Sequence, residues 1–201
     1  MARHRHATHS HLREQIAQLA ARLMAEGTED FALAKRKAAR QLGAADTQNL
    51  PNNNEIEQAL CAYQALYQHA DQIDALRKLR SQAMRVMQDF IGFDPVLTGS
   101  VLRGTATAYS DIDLALFADS PKDVELLLLN RNLAYKASEK RFRFRDGVRA
   151  IPLLLLSYAG EADVQLAIFA PDDHRSMPLN PVDGRVMMGA HLSEVKSLLD
   201  Q

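Results

Sequence analysis

The sequence predicts an α+β protein in which an all-helical N-terminal region precedes a small mixed β-sheet. From residue 11 to residue 92, apolar side chains recur at spacings of three and four, as on one face of a helix. After residue 93 the pattern changes to alternation and short apolar runs, which are typical of strands. We therefore predict a disordered tail over 1–10, a helical region over 11–92 and an α+β domain over 93–201.

The region before the sheet is predicted to be helical throughout. Gly27 is placed to end the first helix, and Thr28 to cap the second. Asn54 and Glu57 have the spacing of a capping box at the start of the third helix. The 76–90 stretch continues the helical spacing, as one bent helix or as two.

The second half of the chain alternates short apolar runs with turn residues. The predicted strands are "DPVLTG", "IDLALFA", "EKRFRFR", "IPLLLLSY" and "ADVQLAIFA". Ser120 followed by Pro121 opens a helix that is expected to run to about Leu133. We predict a tight connection between the last two strands over 159–161 and a final short helix in "LSEVKSLL".

Composition excludes several classes of protein. A chain of 201 residues with 47% hydrophobic residues can bury a core. The formal net charge of −1 argues against non-specific binding to DNA. Cys61 is the single cysteine, so the chain has no internal disulfide framework and a reducing compartment is indicated. Its helical neighbours predict a small buried side chain. Because no apolar run reaches the length of a membrane span and the N-terminus lacks a secretory signal, we expect a cytoplasmic protein with no membrane partner.

The N-terminus is rich in histidine. Four of the seven histidines lie in the first eleven residues: His4, His6, His9 and His11. A metal site is one interpretation, but an unpacked tail with incidental metal affinity is favoured on composition.

Two carboxylates lie at the start of an apolar strand. Side chains alternate along a strand, so Asp111 and Asp113 project the same way while Ile112 enters the core. Their Cα atoms are expected about 6.5 Å apart, and two ionised carboxylates at that range repel each other. Mg²⁺ would compensate them, and two such ions can clamp the oxygens of a phosphoryl displacement. The alternative without a functional role is that Asp111 and Asp113 are ordinary exposed residues at the start of a strand.

A Gly-Ser pair precedes these carboxylates and suits the same chemistry. Gly99 lets the backbone approach a phosphate closely, and Ser100 offers a hydroxyl and an amide at a predicted helix start.

This arrangement resembles the nucleotidyltransferase superfamily typified by DNA polymerase beta, kanamycin nucleotidyltransferase and the minimal nucleotidyltransferases. The superfamily pattern is an apolar residue, Gly-Ser, about ten residues, then Asp-apolar-Asp. Here "LTGS" at 97–100 is followed by ten residues and "DID" at 111–113, with Arg103-Gly104 and Ser110 also matching the minimal members. A third carboxylate is expected on a later strand, and Asp163 in "EADVQLAIF" fits, with Glu161 as the fallback.

The resemblance implies metal-dependent transfer of a nucleoside monophosphate from a nucleoside triphosphate to a hydroxyl acceptor, with release of pyrophosphate. Asp111, Asp113 and Asp163 would hold two Mg²⁺ ions, and Asp163 could also take a proton from the acceptor. Gly99 and Ser100 would bind the nucleotide, as would Arg103, for which a surface ion pair is the equal alternative. The acceptor stays open: a small molecule, an RNA end or a protein side chain.

Two further groups have weaker interpretations. Arg141, Arg143 and Arg145 share one strand face, where a solvated face is favoured slightly over phosphate or acceptor binding. His174 is interpreted as an ordinary surface residue rather than a ligand or a base.

An alternative function belongs to a different class. The resemblance also covers proteins that keep the fold and act as regulatory partners, such as one half of a toxin–antitoxin pair. The helices of 11–92 would then be a docking surface. Intact Asp111, Asp113 and Asp163 favour catalysis, and transfer of a nucleotide onto a protein partner would merge the two readings.

Overall fold

The computed structural model describes residues 2–28, 30–45, 47, 49–67, 69–158 and 160–199. The side chains of residues 2–10, 69 and 70 lie outside this description, and so does any metal affinity of His4, His6 and His9. The backbone of residues 2–10 is helical, where a disordered tail over 1–10 was predicted. The chain divides into two compact units, Met1–Gln72 with Pro181–Asp183, and Ile73–Asn180 with Gly184–Gln201. The predicted α+β class is confirmed, with helices preceding a five-stranded mixed sheet.

The first unit is helical. Its helices are α1 (Ala2–Ala25), α2 (Phe31–Gln41) and α3 (Asn53–Tyr67). They share one apolar core, which includes Ile16, Ala20, Ala34, Ala38, Ile56 and Leu60. Cys61 is exposed beside Leu60, so its predicted burial is wrong; one residue along a helix turns the side chain away from the core face. No helix in the described part of the chain is long and apolar enough to span a membrane.

The cap of α2 differs from the prediction. Thr28 belongs to the end of α1, because its N–H donates to the Leu23 carbonyl at 2.9 Å. Asp30 caps α2 instead, and its carboxylate accepts the Leu33 N–H at 2.6 Å. The predicted Thr28 cap is therefore wrong by two residues.

The start of α3 shows a similar shift. Asn52 accepts the Glu55 N–H at 2.9 Å, and Glu55 accepts the Asn52 N–H at 2.6 Å. This reciprocal pair is a capping box, two residues before the predicted one at Asn54 and Glu57. Arg13 holds the Glu55 carboxylate with two hydrogen bonds of 2.8 and 2.6 Å, which lowers the pKa of Glu55 through that pairing.

The second unit contains the sheet. Its elements are α4 (His69–Asp89, from Ile73 onward), a 3₁₀ helix (Ile91–Phe93), β1 (Val96–Thr98), α5 (Gly99–Arg103), β2 (Ile112–Phe117), α6 (Pro121–Asn130), β3 (Tyr135–Arg143), β4 (Val148–Leu156), β5 (Val164–Phe169), a 3₁₀ helix (Pro171–Arg175) and α7 (Leu192–Ser197). The strand order is β1-β2-β5-β4-β3, with β2 and β5 parallel and the other pairs antiparallel.

Helix α6 begins where the sequence predicts and ends earlier. The Ser120 hydroxyl accepts the Lys122 N–H at 3.3 Å, which confirms the predicted cap. The helix stops at Asn130 rather than about Leu133, because Asn132 adopts a left-handed φ of +53°. The Leu133 N–H then closes the helix end by donating to the Leu128 carbonyl at 2.9 Å.

The two faces of the central strands differ. On one face, apolar side chains of β2 and β5 pack with α4, α5, α6 and α7: Ile112, Leu114, Leu116, Val164, Leu166 and Ile168. The other face, here called the carboxylate face, carries Asp113, Ala115, Phe117, Gln165, Ala167 and Phe169. The apolar cluster on this face comes from strands and loops. The charged residue Asp113 lies on the same face, near the start of β2.

Candidate active site

The turn from β1 into α5 lies directly against the β2 carboxylate. Thr98 pairs with Asp113 across the antiparallel strands. Gly99, the first residue of α5, has a φ of +72°, and a β-carbon added there would overlap the Asp113 carboxylate, with Asp113 Cγ only 3.0 Å away. This position therefore demands glycine on two grounds, backbone conformation and space. Ser100 is the second residue of α5, at the predicted helix start.

The parallel pairing of β2 and β5 brings Asp111 and Asp163 side by side. Ile112 pairs with Val164 in register, and the Ile112 N–H donates to the Asp163 carbonyl at 2.9 Å. Asp111 and Asp163 each come one residue before their strand, so their backbones lie about 4.8 Å apart, the spacing of neighbouring strands. Asp113 follows two residues further along the same face.

Gln165 is a site residue that the sequence did not reveal. It pairs with Asp113 in the β2–β5 register, and its side-chain amide donates to Asp111 Oδ2 at 2.6 Å. One amide therefore fixes the orientation of one carboxylate while lying beside the other. The sequence feature that could have identified Gln165 is its position two residues after Asp163, because this spacing places both side chains on the same face of a strand.

The electrostatics of Asp113 are unusual. Burial raises the pKa of its carboxyl, and the Asp111 charge raises it further, while the charges of Lys140 and Arg103 oppose these effects. Lys140 lies on β3 opposite Ile151, on the carboxylate face, and was not predicted as a site residue. The ionised form of Asp113 is thus destabilised, in spite of two cations near enough to act on it.

Helix α4 holds the segment that leads into Asp163. The Gln82 amide makes two hydrogen bonds to the backbone of Ala162, one to its carbonyl at 2.7 Å and one from its N–H at 3.1 Å. Arg85, less than one turn further along α4, pairs with the Glu161 carboxylate at 2.6 Å. Glu161 is therefore held by a helix, whereas the Asp163 side chain is exposed.

Comparison with known families identifies this module. Residues 79–153 match the family model of the nucleotidyltransferase domain. The match assigns residues 79–153 to a nucleotidyltransferase domain. The matched range includes the Gly-Ser turn and both carboxylates of β2, while Asp163 lies ten residues beyond its end. No curated protein matches the chain.

A nucleotidyltransferase domain implies transfer of a nucleotidyl group from a nucleoside triphosphate, and domains of this type generally use divalent metal ions. The residues present fit such an ion. Asp111 and Asp113 supply the carboxylate oxygens that Mg²⁺ prefers, and Asp113 carries a charge that burial makes costly. A cation at this end of the nucleotidyltransferase domain would remove that cost.

The strand arginines of the nucleotidyltransferase domain lie away from these carboxylates. Lys140 and Phe142 occupy the carboxylate face of β3, so alternation places Arg141 and Arg143 on the opposite face. Both are exposed, and Arg145 lies beyond the strand end. This placement agrees with the solvated face that the sequence favoured.

Proposed function

We propose that the nucleotidyltransferase domain moves a nucleoside monophosphate from a nucleoside triphosphate to a hydroxyl acceptor in a metal-dependent reaction. The observation that carries the proposal is the position of Asp113. Its carboxylate is packed against Gly99, beside Asp111, and its pKa is raised by burial and by that neighbour. Lys140 and Arg103 offset this rise only in part, and a bound metal ion would stabilise the ionised form of Asp113.

Asp111 and Asp113 would hold a Mg²⁺ ion, and Asp163 would help to hold a second. When bound, these ions would neutralise triphosphate charge and stabilise the attacking and leaving oxygens of the displacement. Gln165 supports this role, since its amide fixes one oxygen of Asp111 and leaves the other for a ligand.

The remaining residues would bind and orient the triphosphate. Ser100 and Arg103 lie on the short helix that begins at Gly99, and the charge of Lys140 on β3 acts on Asp113. Arg103 and Lys140 suit phosphate oxygens by charge, and Ser100 suits them by its hydroxyl. Holding the triphosphate in this way would align the α-phosphorus with the acceptor.

The acceptor oxygen forms a bond to the α-phosphorus, and the bond from that phosphorus to the bridging oxygen breaks, so that pyrophosphate leaves with the electron pair. The proton of the acceptor hydroxyl passes to Asp163, whose exposed carboxylate lies beside Asp111.

The experiment incubates the protein with Mg²⁺, each of the four α-labelled nucleoside triphosphates and whole-cell extract. We expect label to move to a small molecule, an RNA or a protein, which would identify the acceptor class. The Asp111→Asn/Asp113→Asn variant should transfer no label, whereas Asp119→Asn, an exposed acid in the same domain, should behave as wild type. Absence of transfer with every triphosphate, together with a stoichiometric protein partner, would favour the regulatory alternative.

A further inference from the structure

A second group of potential metal ligands lies in the sheet-containing unit, apart from the carboxylates of β2. Asp94 follows the 3₁₀ helix before β1, His174 lies in the 3₁₀ helix after β5, and His191 is the residue before α7. One oxygen or nitrogen atom of each side chain lies within 4.8 Å of the corresponding atoms of the other two. Two imidazoles and one carboxylate from three separate segments therefore lie close together.

Each imidazole approaches a different oxygen of the Asp94 carboxylate, at about the separation expected between two ligands of one ion. His174 Nε2 lies 3.1 Å from Asp94 Oδ2, and His191 Nδ1 lies 3.4 Å from Asp94 Oδ1. Ligand atoms at zinc bond lengths of about 2.0–2.1 Å in a tetrahedron are separated by about 3.3–3.4 Å. The longer of the two separations also exceeds the range of a well-formed N–H···O hydrogen bond.

Contacts outside the cluster fix the backbones of Asp94 and His191 and the ring of His174. Asp94 has a left-handed φ of +46°, and its N–H donates to the Ile91 carbonyl at 3.3 Å. The His174 ring packs on Phe117, with centroids 4.7 Å apart. The backbone N–H of His191 donates to Glu194 Oε2 at 2.7 Å. The backbones of two ligands and the ring of the third are thus fixed before any ion arrives.

We propose that Asp94, His174 and His191 bind one divalent transition-metal ion of the Zn²⁺ class. Two imidazoles with one carboxylate suit Zn²⁺, Co²⁺ or Ni²⁺ better than Mg²⁺, which prefers oxygen. His174 lies beside Phe117, four residues along β2 from Asp113, or about 13 Å by the strand rise. This ion is therefore distinct from those proposed at the carboxylates.

The site is open to solvent and links three segments. The side chains of Asp94, His174 and His191 are 57%, 42% and 47% exposed, which leaves room for a water ligand and for exchange with free ions. A bound ion would join the chain before β1 to the chain after β5 and to the start of α7. His174 then acts as a ligand rather than as the ordinary surface residue that the sequence favoured.

The test is calorimetric titration of the full chain with Zn²⁺, together with the visible absorption of Co²⁺, which is intense for a tetrahedral site. The variant His174→Gln/His191→Asn keeps polar side chains, and Asn retains the capping ability needed before α7. Because the N-terminal histidines can also bind metal, the first control replaces His4, His6, His9 and His11 by Gln. The second control is Asp111→Asn/Asp113→Asn, which removes carboxylates of the proposed Mg²⁺ site.

We expect both controls to keep one tight Zn²⁺ equivalent and the intense Co²⁺ spectrum, and the double histidine variant to lose both. Asp94→Asn, which preserves the left-handed backbone, should weaken binding without unfolding the protein. If wild type and the double histidine variant bind Zn²⁺ and Co²⁺ identically, the proposal is wrong. The three side chains would then contact one another without binding a metal ion.

Discussion

The carboxylate of Asp113 occupies the space where a β-carbon of Gly99 would lie. The sequence suggested that Gly99 admits a phosphate, whereas the structure gives it a second role, which is to admit a carboxylate. The turn into α5 and the start of β2 are therefore positioned against each other by direct contact. Any side chain at residue 99 must move Asp113 before it can affect a nucleotide.

Gly99→Ala should abolish nucleotidyl transfer while leaving the protein folded. The added methyl displaces Asp113, and a misplacement of about 1 Å can cost about 100-fold in rate. The left-handed φ adds about 1–2 kcal/mol of backbone strain. Gly104→Ala is the matched control, because Gly104 has a similar φ of +80° but meets only the end of the Arg80 side chain, at 3.8 Å. Equal loss of activity in both variants would show that backbone strain alone causes it, without displacement of Asp113.

Asp113→Asn should stabilise the metal-free protein at neutral pH. A carboxyl group with a raised pKa binds its proton more tightly in the folded state, so its stabilising contribution is lost as pH rises through that raised value. The variant should therefore unfold at higher denaturant concentration than wild type at pH 7, and the difference should vanish below the ordinary value of 3.8. Mg²⁺ should stabilise wild type and leave the variant unchanged. Lower stability of the variant at pH 7 would contradict a net destabilisation of the ionised Asp113 carboxylate.

Lys140→Gln should shift the pH dependence of transfer. Loss of this cation raises the pKa of Asp113 further, so protons compete with the metal ion up to a higher pH. The acidic limb of the rate profile therefore shifts to higher pH. Weaker triphosphate binding should appear as a higher KM. Arg141→Gln, one residue along and on the opposite face of β3, should change neither quantity. Identical pH profiles for the two variants would remove Lys140 from the site.

Gln165→Ala should lower metal affinity by about 10–100-fold, the usual cost of removing an outer partner of a metal ligand. The reason is that Asp111 loses the amide that donates to its Oδ2 at 2.6 Å. Titration with Mn²⁺, followed by its paramagnetic resonance, measures this affinity. Gln88→Ala replaces an exposed glutamine on α4 and serves as the control. Wild-type affinity in Gln165→Ala would show that Asp111 needs no such support.

Local sequence signals predicted much of the sheet. The "IDLALFA" run predicted β2 because its alternation begins at Ile112, and the structure starts the strand there. The Ser120 cap was equally local and is confirmed. Helix starts were less secure, since Thr28 and Asp30 are both good capping residues, and the choice depends on how α1 ends.

Relationships between distant segments were not available from the sequence. Gln165 became a site residue through the register of two parallel strands, which no spacing in the chain specifies. Lys140 acts on Asp113 from the strand at the far edge of the sheet. Asp94 and His174 meet only because the loops at the ends of different strands converge.

The most direct test of the proposed active site is the metal dependence of triphosphate binding. Equilibrium dialysis with a labelled nucleoside triphosphate should show tight binding in Mg²⁺, and both chelator and the Asp111→Asn/Asp113→Asn variant should abolish it. The carboxylates alone would repel the triphosphate, so binding without an ion has no basis in this site. Equally tight binding in chelator, or in the double variant, would contradict the account.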